Sequence, residues 1–287
     1  MSSSSAETPP PFLVAMLAGG LAGTSVDVTL FPLDTLKTRL QAPGGFIKAG
    51  GFRGVYNGLG AAALGSAPGA ALFFSTYETM KVLLVKNGDQ PDAVSHMTAA
   101  SIGEAAACLV RVPTEVVKAK MQTSATQLSL QATIASVLKE RSGSWLSHIT
   151  GGLYRGYGIT LFREIPFAMI QFPLYEYMKL TWARQQNLDQ CTPVQAAICG
   201  SCSGGLAAGL TTPLDVLKTR LMLGADQHGT PYTGVSDVLR RTLALEGQIA
   251  LWSGVQPRVM WISIGGFVFF GAYETFKTLL MTSLLAH

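Results

Sequence analysis

The sequence predicts an all-α membrane protein with six transmembrane helices in three tandem two-helix repeats, pseudo-threefold symmetry and short helices on one membrane face. Three observations predict this fold: a composition poor in charge, six long apolar stretches, and motifs that recur three times. Charged residues form 13% and hydrophobic residues 48% of the 287 residues, whereas soluble domains contain about 25% charged residues. The composition therefore argues against a soluble protein.

Six stretches approach the ~20 mostly apolar residues that cross a bilayer core. Residues 59–77 and 191–214 carry no charge, and residues 12–33 contain only Asp27. The other three stretches, which include a few ionic residues, are residues 94–112, 159–180 and 259–285. An even number of spans places both termini on the same side of the membrane.

Lys and Arg are concentrated in the loops that follow the first, third and fifth spans. The opposite face carries only Lys81, Lys86, Lys179, Arg184 and Lys277. Basic loops face the inner compartment, so we expect the three long loops there, with amphipathic surface helices within residues 126–141 and 234–245. This topology explains the net charge of +4, so no nucleic-acid partner is expected.

Fixed-period motifs define the repeats. The element Pro-x-acid-x-x-base-x-base closes each odd-numbered span, at residues 32–39, 113–120 and 213–220. The element Tyr-Glu-x-x-Lys closes each even-numbered span, at residues 77–81, 175–179 and 273–277. Between them lies an aromatic residue followed two positions later by Gly, as in Tyr56/Gly58, Tyr154/Gly156 and Trp252/Gly254. The predicted units are an N-terminal tail, residues 1–11, and repeats at residues 12–86, 93–184 and 191–285.

This arrangement resembles the mitochondrial carrier family, whose signature is the first of these elements repeated three times. The resemblance covers the chain from Phe12 onward. It implies a multi-pass transporter of the mitochondrial inner membrane that works by alternating access as a monomer, with both termini toward the intermembrane space. The implied partners are the transported solute and the lipid bilayer, with cardiolipin as a candidate lipid.

The repeated prolines and charges have predictable effects on the helices in this interpretation. Proline inside a helix removes a backbone hydrogen bond and bends the helix, so Pro32, Pro113 and Pro213 should bend the odd-numbered helices. An ionic residue at mid-membrane costs about 2.5–3.5 kcal/mol on insertion scales, so it should point inward and find a partner. Acid and base three residues apart share one helix face, where they can pair locally or reach the next helix.

The resemblance assigns these charges to two gates. The matrix gate consists of the pairs Asp34–Lys118, Glu115–Lys218 and Asp215–Lys37. Gln41 and Gln122 occupy the positions that brace this gate, whereas Met222 departs from the family pattern at the third. The cytoplasmic gate consists of the pairs Glu78–Lys179, Glu176–Lys277 and Glu274–Lys81.

Five ionic residues within the spans are left over from the gates: Asp27, Glu104, Arg111, Arg163 and Glu164. Glu104 and Arg111 recur on the helix face of Glu115, so they should line the central cavity. Two alternatives stay open, because Glu104 can pair with Arg111 and Glu164 with Arg163. The resemblance adds substrate-contact positions, which are Asp27, Gly65, Arg163 and Trp261, with Ser66 and Glu164 beside them.

The leftover charges favour a positively charged zwitterion over a nucleotide. Three acids against two bases suit an ammonium or sulfonium group, one Arg suits a carboxylate, and Trp261 suits a cation or flat ring. Within the family, this pattern is most similar to carriers of S-adenosylmethionine, which implies its import in exchange for S-adenosylhomocysteine. A carrier of basic amino acids and a non-transporting scaffold with the carrier fold are the alternatives.

An enzyme is not expected. His96, His148, His228 and His287 are dispersed among loops and termini, without a grouping of nucleophile, base and acid. Cys199 and Cys202 form a C-x-x-C spacing inside an apolar helix rather than at a strand-to-helix turn. No catalytic residue, cofactor or metal ligand is therefore predicted.

Overall fold

The computed structural model describes residues 12–84, 93–124, 129–139, 152–186 and 191–285. Helices account for most of these residues. In chain order they are α1 (Phe12–Gln41), α2 (Gly45–Lys48), α3 (Leu59–Leu84), α4 (Ala93–Thr123), α5 (Leu130–Lys139), α6 (Tyr157–Gln185), α7 (Pro193–Leu210), α8 (Thr212–Leu223), α9 (Val235–Leu245), a 3₁₀ helix (Gln248–Trp252) and α10 (Val255–Leu285).

The long helices form a closed ring. Helix α3 packs against α4, α6 against α7, and α10 against both α7 and α1, while contacts of α1 with α3 and of α4 with α6 complete the circle. Helices α1, α3, α4, α6 and α10 have 26 to 31 residues. At 1.5 Å per residue they exceed the ~30 Å hydrocarbon core. The predicted all-helical fold of three two-helix repeats is confirmed.

Composition alone identifies fewer spans than the fold contains. Among the helices that the structure describes, α3 is the one that combines sufficient length with high mean hydropathy, and α7 is apolar but shorter. The other long helices carry ionic residues inside their apolar stretches, as α4 does at Glu104 and Arg111. Such residues lower the mean hydropathy of a helix without requiring it to leave the membrane, provided that they face the interior.

The repeated proline has a different effect on the helix in the third odd-numbered span than in the first two. Helix α1 continues through Pro32 and α4 continues through Pro113. In the third repeat the helix is interrupted at Thr211, and Pro213 lies in the first turn of α8, where its missing N–H needs no partner. Thr211 Oγ1 donates to Ala207 O at 2.7 Å at this break. The expected bend thus takes the form of a one-residue break in the third repeat.

Helices α5 and α9 lie within the two segments predicted as amphipathic surface helices. Val137 of α5 is buried with Val116 of α4 and Met222 of α8, and Val238 of α9 is buried with Leu221 of α8. Each short helix therefore packs on an odd-numbered span through its apolar face. Sequence reasoning missed α2 and the 3₁₀ helix, which are too short to show a period.

One glycine in each repeat joins the short segment to the following even-numbered helix. Gly58, Gly156 and Gly254 all have positive φ, between 75° and 92°. A Cβ on Gly58 would lie 3.2 Å from Lys118 O, and a Cβ on Gly254 would lie 3.0 Å from Lys37 O. These glycines therefore allow each even-numbered helix to start against the neighbouring repeat, beside a gate lysine at Gly58 and Gly254 and beside Met222 at Gly156.

We expect Gly254→Ala to destabilise the protein more than Gly229→Ala. Both positions have positive φ, 75° and 81°, so both substitutions carry a backbone penalty of about 1 kcal/mol. Of the two, Gly254 meets a neighbouring backbone oxygen, whereas Gly229 has open space within 4 Å. Thermal unfolding of both variants in detergent measures the difference, and equal midpoints would contradict the importance of the close approach.

Candidate functional site

A cavity of about 510 Å³ lies in the centre of the ring. Six of the eight predicted substrate-contact residues line it, and Glu104 and Glu164 lie behind as partners of two of them. The six are Asp27, Gly65, Ser66, Arg111, Arg163 and Trp261. Its volume falls in the range of small-molecule sites. The structure thus brings together residues from all three repeats.

All six acids and bases of the matrix gate line this cavity and are paired. The distance from Nζ to carboxylate oxygen is 2.7 Å in each pair, and the pairs are Lys118–Asp34, Lys218–Glu115 and Lys37–Asp215. Every pair joins two different repeats, as expected from the motif. The ion pairs therefore hold the odd-numbered helices together at this end.

The two predicted glutamine braces contact the gate acids. Gln41 Nε2 donates to Asp215 Oδ2 at 2.9 Å, and Gln122 Nε2 donates to Asp34 Oδ2 at 3.0 Å. Met222, at the third position, is 3% exposed and packs in an apolar cluster with Val116 and Val137. The pair of Glu115 and Lys218 consequently lacks the amide contact that the other two pairs have.

The cytoplasmic-gate residues make different pairs from those expected. Glu78 binds Lys81 on its own helix at 2.6 Å, and Glu176 binds Lys179 on its own helix at 3.2 Å. The predicted pair Glu78–Lys179 is not formed in this conformation, because acid and base three residues apart can pair without two helices approaching. The predicted pairs Glu176–Lys277 and Glu274–Lys81 include side chains, those of Glu274 and Lys277, that lie outside the described residues.

The two alternatives left open for the leftover charges are both realised. Arg111 Nη1 contacts Glu104 Oε1 across two helical turns, and Arg163 Nη2 contacts the neighbouring Glu164 Oε1. Both arginines still line the cavity. Their positive charges are nevertheless compensated within the protein in this conformation.

Asp27 differs from the other cavity acids. It is half-buried and lines the cavity, yet it makes no ion pair or hydrogen bond with any residue that the structure describes. Gly65 lies in the same repeat as Asp27, on α3, and a Cβ there would collide with the side chain of Thr114 in the second repeat. Gly65 therefore serves the close approach of α3 to α4 in addition to lining the cavity.

Sequence reasoning missed Arg258. Because it precedes the sixth apolar stretch, residues 259–285, the sequence alone places it in a basic loop. In the structure it lies in α10, is 3% exposed and lines the cavity. Nη1 of Arg258 is 2.6 Å from Asp215 Oδ1. A signal existed in the repeat, because Arg258 follows Gly254 by four residues, as Ala62 follows Gly58 and Thr160 follows Gly156. Only the third copy carries a charge at this position.

Arg258 corrects the charge balance derived from the sequence. The leftover cavity charges number three acids and three bases, rather than three and two. When the gate pairs and the pairs of Arg111 and Arg163 are set aside, Asp27 and Arg258 remain as one acid and one additional base. The cavity therefore presents opposite charges that suit a zwitterion, and the excess of acid no longer argues for a net cation.

Comparison with known proteins gives a consistent result. The family model described as "Mitochondrial carrier protein" matches residues 8–49, 45–88, 89–186 and 189–284. A mitochondrial carrier of Saccharomyces cerevisiae is 49% identical over 95% of this chain and 96% of its own length. The "Mitochondrial S-adenosylmethionine carrier protein" of Mus musculus is 48% identical over 95% of this chain and 96% of its own. The "S-adenosylmethionine mitochondrial carrier protein homolog" of Drosophila melanogaster is 48% identical over 92% of this chain and 91% of its own.

Proposed function

Because the chain belongs to the mitochondrial carrier family, we propose that it imports S-adenosylmethionine into the mitochondrial matrix in exchange for S-adenosylhomocysteine. The observation that carries this proposal is the cavity acid Asp27, which has no partner among the described residues and faces the same cavity as the arginines. Relatives that match more than nine-tenths of the chain are named for S-adenosylmethionine. The substrate offers two positive groups, one carboxylate and a flat adenine ring.

Each group of the substrate has a candidate partner. Asp27 binds the amino or sulfonium charge, and Arg163 contributes to holding the carboxylate. Trp261 and Gly65 contact the adenosine part, the former through its aromatic face. Ser66 adds a hydroxyl beside Gly65, while Glu104 and Glu164 act indirectly by orienting Arg111 and Arg163.

Transport proceeds by alternation of the two gates. The structure has its matrix-gate pairs formed and its described cytoplasmic-gate residues paired locally, which suits a state that receives substrate from the intermembrane space. Each gate pair contributes a modest net energy after desolvation, so differential binding of substrate to the two states can shift the equilibrium. In the opposite state, Glu78 exchanges Lys81 for Lys179 and the matrix-gate pairs separate.

The remaining family expectations complete the proposal. The protein works as a monomer in the mitochondrial inner membrane, with both termini toward the intermembrane space. This orientation places the basic loops and the surface helices α5 and α9 on the matrix side. Anionic lipids, cardiolipin among them, are the candidate partners of that basic surface.

Exchange in reconstituted liposomes tests the proposed function. We expect labelled S-adenosylmethionine to enter liposomes preloaded with S-adenosylhomocysteine. Its initial rate of entry into empty liposomes should be at least about tenfold lower, because the gates return readily only with a bound solute. S-adenosylhomocysteine outside should inhibit the uptake. Equal rates into loaded and empty liposomes would exclude exchange, and stronger inhibition by arginine or ornithine would assign the carrier to basic amino acids.

A further inference from the structure

Arg258 is a buried cavity arginine that adds a fourth cation to the three lysines of the matrix gate. We propose that it is the principal ligand of the substrate carboxylate, an inference that rests on the function proposed above. Helix α10 presents it to the cavity one turn before Trp261. The carboxylate therefore binds deeper in the cavity than the adenosine-contact position, next to the matrix gate.

The first argument is the charge around Asp215. Lys37 Nζ is 2.7 Å from Asp215 Oδ2, Arg258 Nη1 is 2.6 Å from Oδ1, and Arg163 Nε is 3.9 Å from Oδ1. Glu164 compensates Arg163, which leaves one acid facing two cations. The surplus positive charge lies in a largely desolvated corner, where an anionic group of a ligand is strongly attracted.

The second argument is the unused hydrogen-bonding capacity of the guanidinium, which has five N–H donors. Nη2 of Arg258 donates to Thr211 Oγ1 at 2.9 Å. Its Nε has no hydrogen-bond partner in the described part of the chain, and Nη1 meets Asp215 outside hydrogen-bond geometry. A donor that is buried without an acceptor is costly, and a substrate carboxylate that accepts from the Nε–H group removes that cost.

The position of Arg258 also connects recognition to gating. The two oxygens of Asp215 have separate partners, since Oδ2 accepts from Gln41 and pairs with Lys37, while Oδ1 faces Arg258. A substrate carboxylate that accepts from Nε of Arg258 shares this cation with Asp215. The closed gate then loses part of the compensation for a buried acid, so binding of the correct substrate favours separation of the gate.

Competition between two ligands tests the assignment. Uptake of labelled S-adenosylmethionine is measured against unlabelled S-adenosylmethionine and its decarboxylated analogue, in the parent protein, Arg258→Gln and Arg163→Gln. The parent should prefer the carboxylated ligand roughly tenfold to a hundredfold, the factor expected for hydrogen bonds to a charged group. Arg258→Gln should bring the two ligands to nearly equal affinity, and Arg163→Gln should retain most of the preference.

Two control variants make the outcomes distinct. Arg240→Gln removes an arginine whose side chain is 80% exposed on α9, and it should keep the full preference. Arg258→Lys retains the charge without the planar guanidinium and should give an intermediate preference for the carboxylated ligand. This variant also provides the test if Arg258→Gln fails to fold. A parent protein without a preference, or an Arg258→Gln variant that keeps the full preference, would overturn the role of Arg258. Lack of S-adenosylmethionine uptake by the parent would instead overturn the proposed function.

Discussion

Asp27→Asn is expected to lower uptake of S-adenosylmethionine about a hundredfold while leaving the protein as thermally stable as the parent. The substitution removes the one cavity carboxylate that lacks a partner among the described residues and keeps the size of the side chain. A hydrogen bond to a charged group contributes about 1.5–3 kcal/mol, and the upper value corresponds to roughly a hundredfold in affinity. Stability should not fall, because no described group of the protein loses a partner.

The combined readout separates recognition from folding. Asp27→Glu retains the charge and should recover much of the uptake, whereas Asp215→Asn should lower both uptake and thermal stability because Asp215 is 3% exposed and contacts Lys37 and Arg258. Initial rates in preloaded liposomes and unfolding midpoints in detergent provide the two measurements. Uptake by Asp27→Asn within about threefold of the parent would remove Asp27 from the substrate site.

The repeated motifs together with the family that they resemble were sufficient to predict the matrix gate. Three copies of one element allow each acid a base on its own helix or on another repeat, and the resemblance selects the pairing between repeats. Because the three helices are equivalent, the pair of Lys118 and Asp34 then implies the other two. Side chains that deviate from the repeat are harder to predict. Arg258 replaces the alanine and threonine of the other repeats, and its partner Asp215 depends on how closely α10 approaches α8.

The conformational state could not be read from the sequence. Glu78 has two candidate partners, Lys81 on its own helix and Lys179 on another. Which of the two it pairs with changes as the helices move. The same ambiguity applied to Glu104 and Arg111, whose spacing of seven residues permits a local pair. A sequence specifies the set of possible partners, whereas the energy difference between two arrangements of a transporter is small by necessity.

Glu246→Ala is expected to lower the free energy of unfolding by about 3 kcal/mol. Arg220 is 1% exposed, and its Nη1 and Nη2 atoms donate to Glu246 Oε1 and Oε2, each at 2.7 Å. Removing one partner of a buried pair costs about 3–5 kcal/mol, because the other charge stays buried. Arg220 keeps bonds to Gln41 O and Thr242 Oγ1, both at 3.1 Å, so we expect the lower value.

Comparison with the first repeat shows why Glu246 is needed for the burial of Arg220 in the third. Arg39 occupies the position of Arg220 and is fully buried without a carboxylate partner among the described residues, but its guanidinium donates to three backbone oxygens, those of Gln122, Gly51 and Gly54. Arg220 has one backbone acceptor, the oxygen of Gln41. Its burial therefore depends on Glu246 in a way that the burial of Arg39 does not.

Thermal unfolding in detergent tests this dependence. A loss of about 3 kcal/mol lowers the midpoint of a protein of this size by roughly 6–10 °C, whereas Arg240→Ala on the exposed face of α9 should leave it unchanged. The double variant Arg220→Leu/Glu246→Ala removes the stranded charge and should unfold at a higher temperature than Glu246→Ala alone. A double variant less stable than Glu246→Ala would mean that the remaining contacts of Arg220, rather than its ion pair, hold α8 against the surface helix α9.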